Sequence, residues 1–376
     1  MKSFEKNFPT DKISKRERIE LTFKHQAVDR VPIVEQLSYN SGVISLYTGK
    51  TFKGFDYTRD DVCEVVRKTT DLIMPPISPL GNNQYTTEDG FVVQNDQWNS
   101  WYLSRPFQNV EGARDWLIRK TEKLIQLRKQ PQRHHYHIIA GAAFDLADLQ
   151  KRIGETVLLN YSRTGFMDAY TQMGLELFAY LHADYPDVVV DFMNASVAQE
   201  LLRIHAIADK ELAPVVLIPE EFAIKQGPTF TPKMLALYQY PHVKTLTDAW
   251  HEHGVMVMFA SGGNYRKVIP ELLDCNLDGF YGLEPACEME IVDLTKRYPG
   301  AVWAGGVDGT DLMERGTPEQ VKAEVHRQIQ ETNALQRGGM IIGSSSEINP
   351  SIKPENFRAM VEAVGETQNP SFAGAR

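Results

Sequence analysis

Short, nearly continuous apolar runs alternate with amphipathic stretches along most of the chain. The runs are Val31–Glu35, His137–Ala142, Thr156–Tyr161, Pro214–Pro219, Val255–Ala260, Gly279–Leu283, Ala301–Gly306 and Met340–Gly343. A strand covered on both faces loses the apolar–polar alternation of a half-exposed one, so runs of this kind predict a parallel sheet. Between them lie helical patterns with clear ends. Thr317 reads as an N-cap, with Pro318 in the first helical position and Gln320 completing a capping box. The buried stripe of that helix is Val321, Val325 and Ile329. A second helix starts near Pro354, buries Phe357, Met360, Val361 and Val364, and is expected to stop at Gly365. Eight strands with intervening helices predict an α/β fold, a (β/α)8 TIM barrel spanning residues 1–376 as a single domain, with 1–30 as an N-terminal helical segment. A doubly wound sheet fits less well, because no Gly-rich phosphate loop follows the first strand.

One region breaks the repeat. Residues 84–107 alternate as antiparallel strands do and contain the turn pairs Asp89-Gly90 and Asn95-Asp96. They predict a small β-meander inserted after the first βα unit.

Composition narrows the function classes. The chain has 376 residues, with 40 Lys+Arg against 49 Asp+Glu and a formal net charge of −9. That acidic excess argues against a nucleic-acid surface, which would show clustered cations. The basic stretch KISKRER near the N-terminus is followed by glutamates and reads as a solvated helix start. Cys63, Cys275 and Cys287 contain no CxxC pair, which argues against a disulfide scaffold or a cysteine-rich zinc module. No apolar secretory segment opens the chain, and no run reaches the roughly 18 apolar residues of a membrane span. The expectation is a soluble, cytoplasmic protein without nucleic-acid or membrane partners.

Several stretches carry a further signal. RERIELTFKHQAVDRVPI, EEFAIKQGPTFTP, FASGGNYRKVIPELLDCNLDGFYGLEPACEME, GGVDGTDLMERGTPEQVKAEV and INPSIKPENFRAMVEAV occur in an order that resembles the uroporphyrinogen decarboxylase superfamily. The resemblance implies a barrel with its site at the C-terminal strand ends. It also implies one of two chemistries, cofactor-free decarboxylation of tetrapyrrole acetates or zinc-assisted methyl transfer with corrinoid proteins. The family's decarboxylases carry an arginine-rich segment after the first strand, which suits a polycarboxylate because guanidinium forks pair with carboxylates. Here that stretch is EQLSYNSG, and the family's later His-Gly-Ile reads Ser346-Glu347-Ile348. The zinc branch uses a His-x-Cys pair after the fifth strand and a Cys after the eighth. Those positions hold Ala260, Gly262 and Ser346, and a one-residue shift offers only Phe259 and Ser261. Zinc in the usual site is therefore not expected. EEFAIKQGPTFTP and NYR resemble the methyltransferase branch, and no Asp-x-His-x-x-Gly segment is present to bind a corrinoid. The resemblance thus implies a corrinoid presented by a separate protein, no covalently bound cofactor, a small-molecule substrate and, as an option, a homodimer.

With the metal ligands gone, carboxylates at strand ends become the candidates for acid–base chemistry. Glu221, Glu284 and Asp308 are assigned as catalytic, each with an alternative supporting role, and Glu220 is read as paired with Lys225 in the helix layer. Candidate substrate-binding residues are Glu35, Tyr39, Asn40, Tyr161, Arg163, Lys225, Ser261, Asn264, Arg266 and Ser346. Arg163 is the leading anchor for an anionic group, and Ser261–Asn264 could form an anion-binding nest. Cys287 reads as an inert buried thiol. His134, His135 and His137 make a possible metal pair, but read more readily as surface residues at the wrong end of a strand; His251 and His253 read as structural. Two other functions stay open, a cofactor-free decarboxylase or lyase anchored by Arg163 and Arg266, and a barrel that has lost catalysis and serves as a binding partner.

Overall fold

A computed structural model describes residues 4–76, 79–130, 136–139 and 142–372, with the backbone alone at 136–139 and 142–144. Eight strands lie parallel and hydrogen-bonded in chain order. They are β1 (Val34–Glu35), β2 (Leu72–Ile73), β3 (Val157–Tyr161), β4 (Val215–Pro219), β5 (Met256–Ala260), β6 (Gly279–Leu283), β7 (Val302–Val307) and β8 (Met340–Ser344). A parallel bridge between Ile33 and Ile342 joins the first strand to the last. The Ile342 N–H donates to the Pro32 carbonyl at 2.9 Å, completing the ring.

The period of two along each strand decides what faces the interior. Val34, Leu72, Leu159, Val215, Leu217, Met258, Val302, Ala304 and Ile341 fill the inside. Ile73, Leu158, Val216, Ile218, Val257, Phe280, Trp303 and Ile342 pack outward against the helices. Both faces being apolar explains why these strands read as continuous runs and not as alternating ones.

The second strand differs from expectation. Within the predicted His137–Ala142, the described residues belong to two antiparallel strands, Tyr136–Ile139 and Ala142–Asp145, paired in a sheet separate from the barrel; residues 140 and 141 lie outside the described residues. The barrel's second strand is the two-residue Leu72–Ile73, paired with Val34–Glu35 and Val157–Leu158. Three apolar residues between Asp71 and Pro75 are too few to register as a pattern. The three-stranded meander forms as predicted, from Asn83–Thr86, Val92–Asn95 and Ser100–Ser104, but it follows β2. Phe91 anchors it, with ring centroids 5.4 Å from Trp116 on the next helix and 6.0 Å from Phe107.

The helix Pro318–Thr332 has its predicted capping box. The last helix, Pro354–Glu366, runs through Gly365 and does not end there. A Cβ on Gly365 would lie 2.4 Å from the Phe8 ring, so close approach of that ring explains the glycine.

The N-terminal basic stretch is solvated only in part, at Lys12 and Arg16. The helix Lys15–Phe23, capped by Ser14, buries Lys15 and Arg18 completely. Arg18 bridges Asp29 and Asp71 at 2.7 Å each, while Arg30 bridges Asp71 and Asp11 at 2.7 Å each. Asp71 also accepts the Ile33 N–H at 2.9 Å through its side chain. Its backbone N–H donates to the Ile33 carbonyl and its carbonyl accepts from the Val157 N–H. This buried ion network ties together the N-terminal ends of β1, β2 and β3, opposite the mouth. No helix among the described residues is long and apolar enough to cross a membrane.

Candidate active site

At the C-terminal ends of the strands lies a cavity of about 340 Å³. Its lining draws Glu221 from the end of β4, Ser261 and Gly262 from β5, Tyr281 and Glu284 from β6, and Ser346 and Glu347 from β8. Strand ends carry function in such barrels because their loops vary while the ring holds their positions.

Two carboxylates close around Gly262. Glu221 Oε2 accepts the Gly262 N–H at 2.8 Å. A Cβ built on Gly262 would lie 2.9 Å from Glu221 Oε2 and 3.3 Å from Glu284 Oε1, so the missing side chain makes the room they occupy. Glu221 is still open to solvent at the mouth, yet desolvation by the cavity walls is the largest cause raising its pKa; the Gly262 N–H opposes it, and the charges of Glu284 and Glu347 add to it. Glu284 Oε2 accepts the Cys287 thiol at 3.0 Å. Burial, then that carboxylate, pushes the thiol up to about 11, which leaves it protonated and unreactive at neutral pH.

Two other acids are buried beside the cavity. Glu220 turns away from it, accepting hydrogen bonds from the Thr164 hydroxyl and from the Met167 N–H at 3.1 Å; these hold it in the helix layer in place of the expected Lys225. Glu35 is fully buried, with Oε1 accepting the Ser344 N–H at 2.9 Å and Oε2 lacking a hydrogen-bond partner among the described residues. Burial raises each from an ordinary 4.5 to about 8. The folded chain therefore keeps protons that the unfolded chain releases between about pH 4.5 and 8. Their contribution to stability is full below that window and is lost as the pH rises through it. Melting temperatures from pH 5 to 8 should accordingly show a shallower decline in Glu220→Gln than in the parent; equal slopes would contradict the shift.

The remaining candidates separate cleanly. Tyr161, Ser261 and Ser346 line the cavity. Tyr39 is buried beside Trp98 at 6.3 Å, and burial, then the charge of Glu347, pushes its phenol up to about 12. Asn40 caps the helix Ser41–Thr48 and donates to the carbonyls of Asn349 and Ile352 at 2.7 and 2.8 Å. Asp308 accepts the N–H groups of Thr310 and Asp311 at 2.9 and 2.6 Å, capping the turn Gly309–Glu314, and lines a different groove with Arg327. Arg163 pairs with Asp168 at 3.2 Å and Arg266 with Asp293 at 2.5 Å, neither at the cavity. Asn264 donates to Glu288 at 3.2 Å, and Lys225 is exposed on the hairpin after β4. In the Ser261–Asn264 stretch, the amide of Gly262 is taken by Glu221 and that of Asn264 by the Ile224 carbonyl, which leaves no anion nest there. His251 bonds Asp278 at 2.8 Å, and His253 contacts His205 at 3.0 Å. His134 and His135, and the side chain of His137, lie outside the described residues.

Glu347 and Tyr281 line the cavity without having been singled out as candidates. Glu347 stands in a segment already marked as departing from the family pattern. Tyr281 faces inward by ordinary alternation with the outward-facing Phe280; the register shift between Tyr281 and Leu283 comes after it and turns Leu283 outward.

Residues 170–367, just over half of the chain, match the family model described as uroporphyrinogen decarboxylase (URO-D). The chain belongs to that family. The URO-D barrel also superposes on a methyltransferase from Methanosarcina mazei, with a TM-score of 0.64 at 13% identity over 94% of this chain and 99% of that one. At that identity the likeness shows the fold. A chitinase from Chromobacterium violaceum matches at a TM-score of 0.38 and 8% identity, over 89% of this chain and 99% of that one, too little to argue from. A search of curated proteins found no match.

The zinc site implied by the resemblance is not supplied by the residues at its positions. Ala260, Gly262 and Ser346 all line the cavity, but together they offer one hydroxyl and neither imidazole nor thiolate. The Glu221 carboxylate already stands 2.9 Å from where a Cβ at 262 would be. Among the described residues, no three His, Cys, Asp or Glu side chains are placed to hold a metal ion together.

Proposed function

We propose that this URO-D family member transfers a methyl group in a corrinoid-linked demethylation system, using carboxyl groups where its relatives use zinc. The observation that carries this reading is the Glu221–Glu284 pair closed around a side-chain-free Gly262 at the barrel mouth. A corrinoid, if docked on a separate protein, would supply a cobalt(I) nucleophile to accept the methyl group. Every other task falls to this chain. The cavity walls and two neighbouring carboxylates keep a proton on Glu221 at higher pH than a fully solvated acid would hold it, although its side chain still reaches solvent. From the cavity wall that acid can protonate the oxygen or nitrogen that loses its methyl. The Gly262 N–H fixes the orientation of Glu221, and Tyr161, Met74 and Leu217 enclose the substrate.

A decarboxylase or lyase acting on a polycarboxylate is less well supported. Its anchors, Arg163 and Arg266, are engaged by Asp168 and Asp293 away from the cavity, and the described lining contains no Lys or Arg. The test is to mix the protein with cob(I)alamin and a panel of methyl ethers and methylated amines, and to follow loss of the cob(I)alamin absorbance. Consumption with at least one donor, absent from Glu221→Gln, is the expected result. Carbon dioxide release from a carboxylated substrate, with no methyl transfer from any donor, would overturn the proposal.

A further inference from the structure

We infer that the cavity takes its ligand as a small organic ammonium ion bearing methyl groups. It rests on the methyl-transfer reading only for the reacting methyl, which must sit on an oxygen of that ion for Glu221 to have a leaving atom to protonate, while the binding argument stands on the walls.

Three carboxylates, Glu221, Glu284 and Glu347, line a space of about 340 Å³, and no cationic side chain lines it among the described residues. The neighbouring arginines are neutralised elsewhere, Arg163 by Asp168 and Arg266 by Asp293. Like charges crowded into a partly enclosed space repel, and the charges of Glu284 and Glu347 both act on Glu221. A monocation relieves that repulsion. A neutral ligand leaves it in place, and an anion increases it.

The rest of the lining selects among cations. Tyr161 and Tyr281 supply aromatic surface, and Met74, Leu217 and Ala260 supply apolar surface. Aromatic rings combined with carboxylates recognise methylated ammonium groups, whose charge is spread over methyl surface that hydrates poorly. Glu35 adds an independent observation. Its carboxyl is wholly buried near Tyr281 of the cavity wall, and Oε2 lacks a hydrogen-bond partner among the described residues. A bare metal ion fits this lining poorly, because no three ligating side chains converge among the described residues. The volume, near the lower end of small-molecule sites, also suits an organic molecule.

The experiment compares choline with its neutral carbon isostere 3,3-dimethylbutan-1-ol, and with acetate, by isothermal titration calorimetry on the full chain. Choline should bind at least about tenfold more tightly than the isostere, and acetate should show no binding. Glu284→Gln combined with Glu347→Gln should weaken choline by about tenfold or more and leave the isostere unaffected. The wild-type comparison stands even if the double variant folds poorly. Isostere binding equal to or tighter than choline binding would overturn the inference. Choline binding without any methyl transfer would overturn the proposed reaction and leave this inference intact. Methyl transfer from a neutral ether by a protein indifferent to choline would do the reverse.

Discussion

Asp71→Ala should lower the free energy of unfolding by roughly 3–5 kcal/mol, the usual cost of breaking a buried ion network from one side. Asp71 takes one hydrogen bond from Arg18 at 2.7 Å and two from Arg30 at 2.7 and 2.9 Å. It also accepts the Ile33 N–H at 2.9 Å. Burial opposes its ionisation, but the two guanidinium groups overcome that and hold its pKa well below the ordinary carboxylate range. Removing it strands two fully buried arginines, with Asp29 and Asp11 left to compensate them. It also frees an amide at the start of the β1–β2 pairing. The damage therefore falls on the ring itself and not only on the N-terminal helix. Urea unfolding followed by circular dichroism measures the loss, and a change under 1 kcal/mol would show that the network is dispensable.

Glu221→Gln should reduce turnover by a factor of about 10² to 10⁴, the range associated with losing a general acid. The substitution is nearly isosteric, and an amide oxygen can still accept the Gly262 N–H, so the fold should be kept. What disappears is the transferable proton. The loss should appear in kcat more than in KM, since Met74, Tyr161 and Leu217 still enclose the ligand. The parent's rate should also fall as rising pH removes the proton from Glu221, at a higher pH than an ordinary carboxyl would lose it, and the variant should lose that limb. Steady-state kinetics across the pH range in which the protein is stable, with whichever donor proves active, measures both effects. Undiminished turnover in the variant would remove Glu221 from the chemistry and shift attention to Glu284.

Seven of the eight barrel strands were legible as apolar runs, because a strand sandwiched between a filled interior and a helix layer has to be apolar on both faces. The capping box at Thr317 and the meander's alternation were equally local signals. Leu72–Ile73 was not legible, since its place in the ring is set by Asp71 and by its two neighbours and not by its own length. KISKRER looked solvated for a related reason. Charge in a sequence does not reveal that three aspartates from residues 11, 29 and 71 wait to receive the arginines.

The site divides in the same way. The ends of the apolar runs placed Glu221, Glu284 and Ser346 just past their strands, and the missing His and Cys residues were visible directly. Tertiary structure alone decided that Glu221 and Glu284 meet around Gly262, that Asp308 turns back to cap its own loop, and that Arg163 and Arg266 are held away from the cavity. The reason is physical. Secondary structure follows from periodicities a few residues long, whereas a carboxylate's role depends on which groups, often tens of residues distant, share its space and its dielectric.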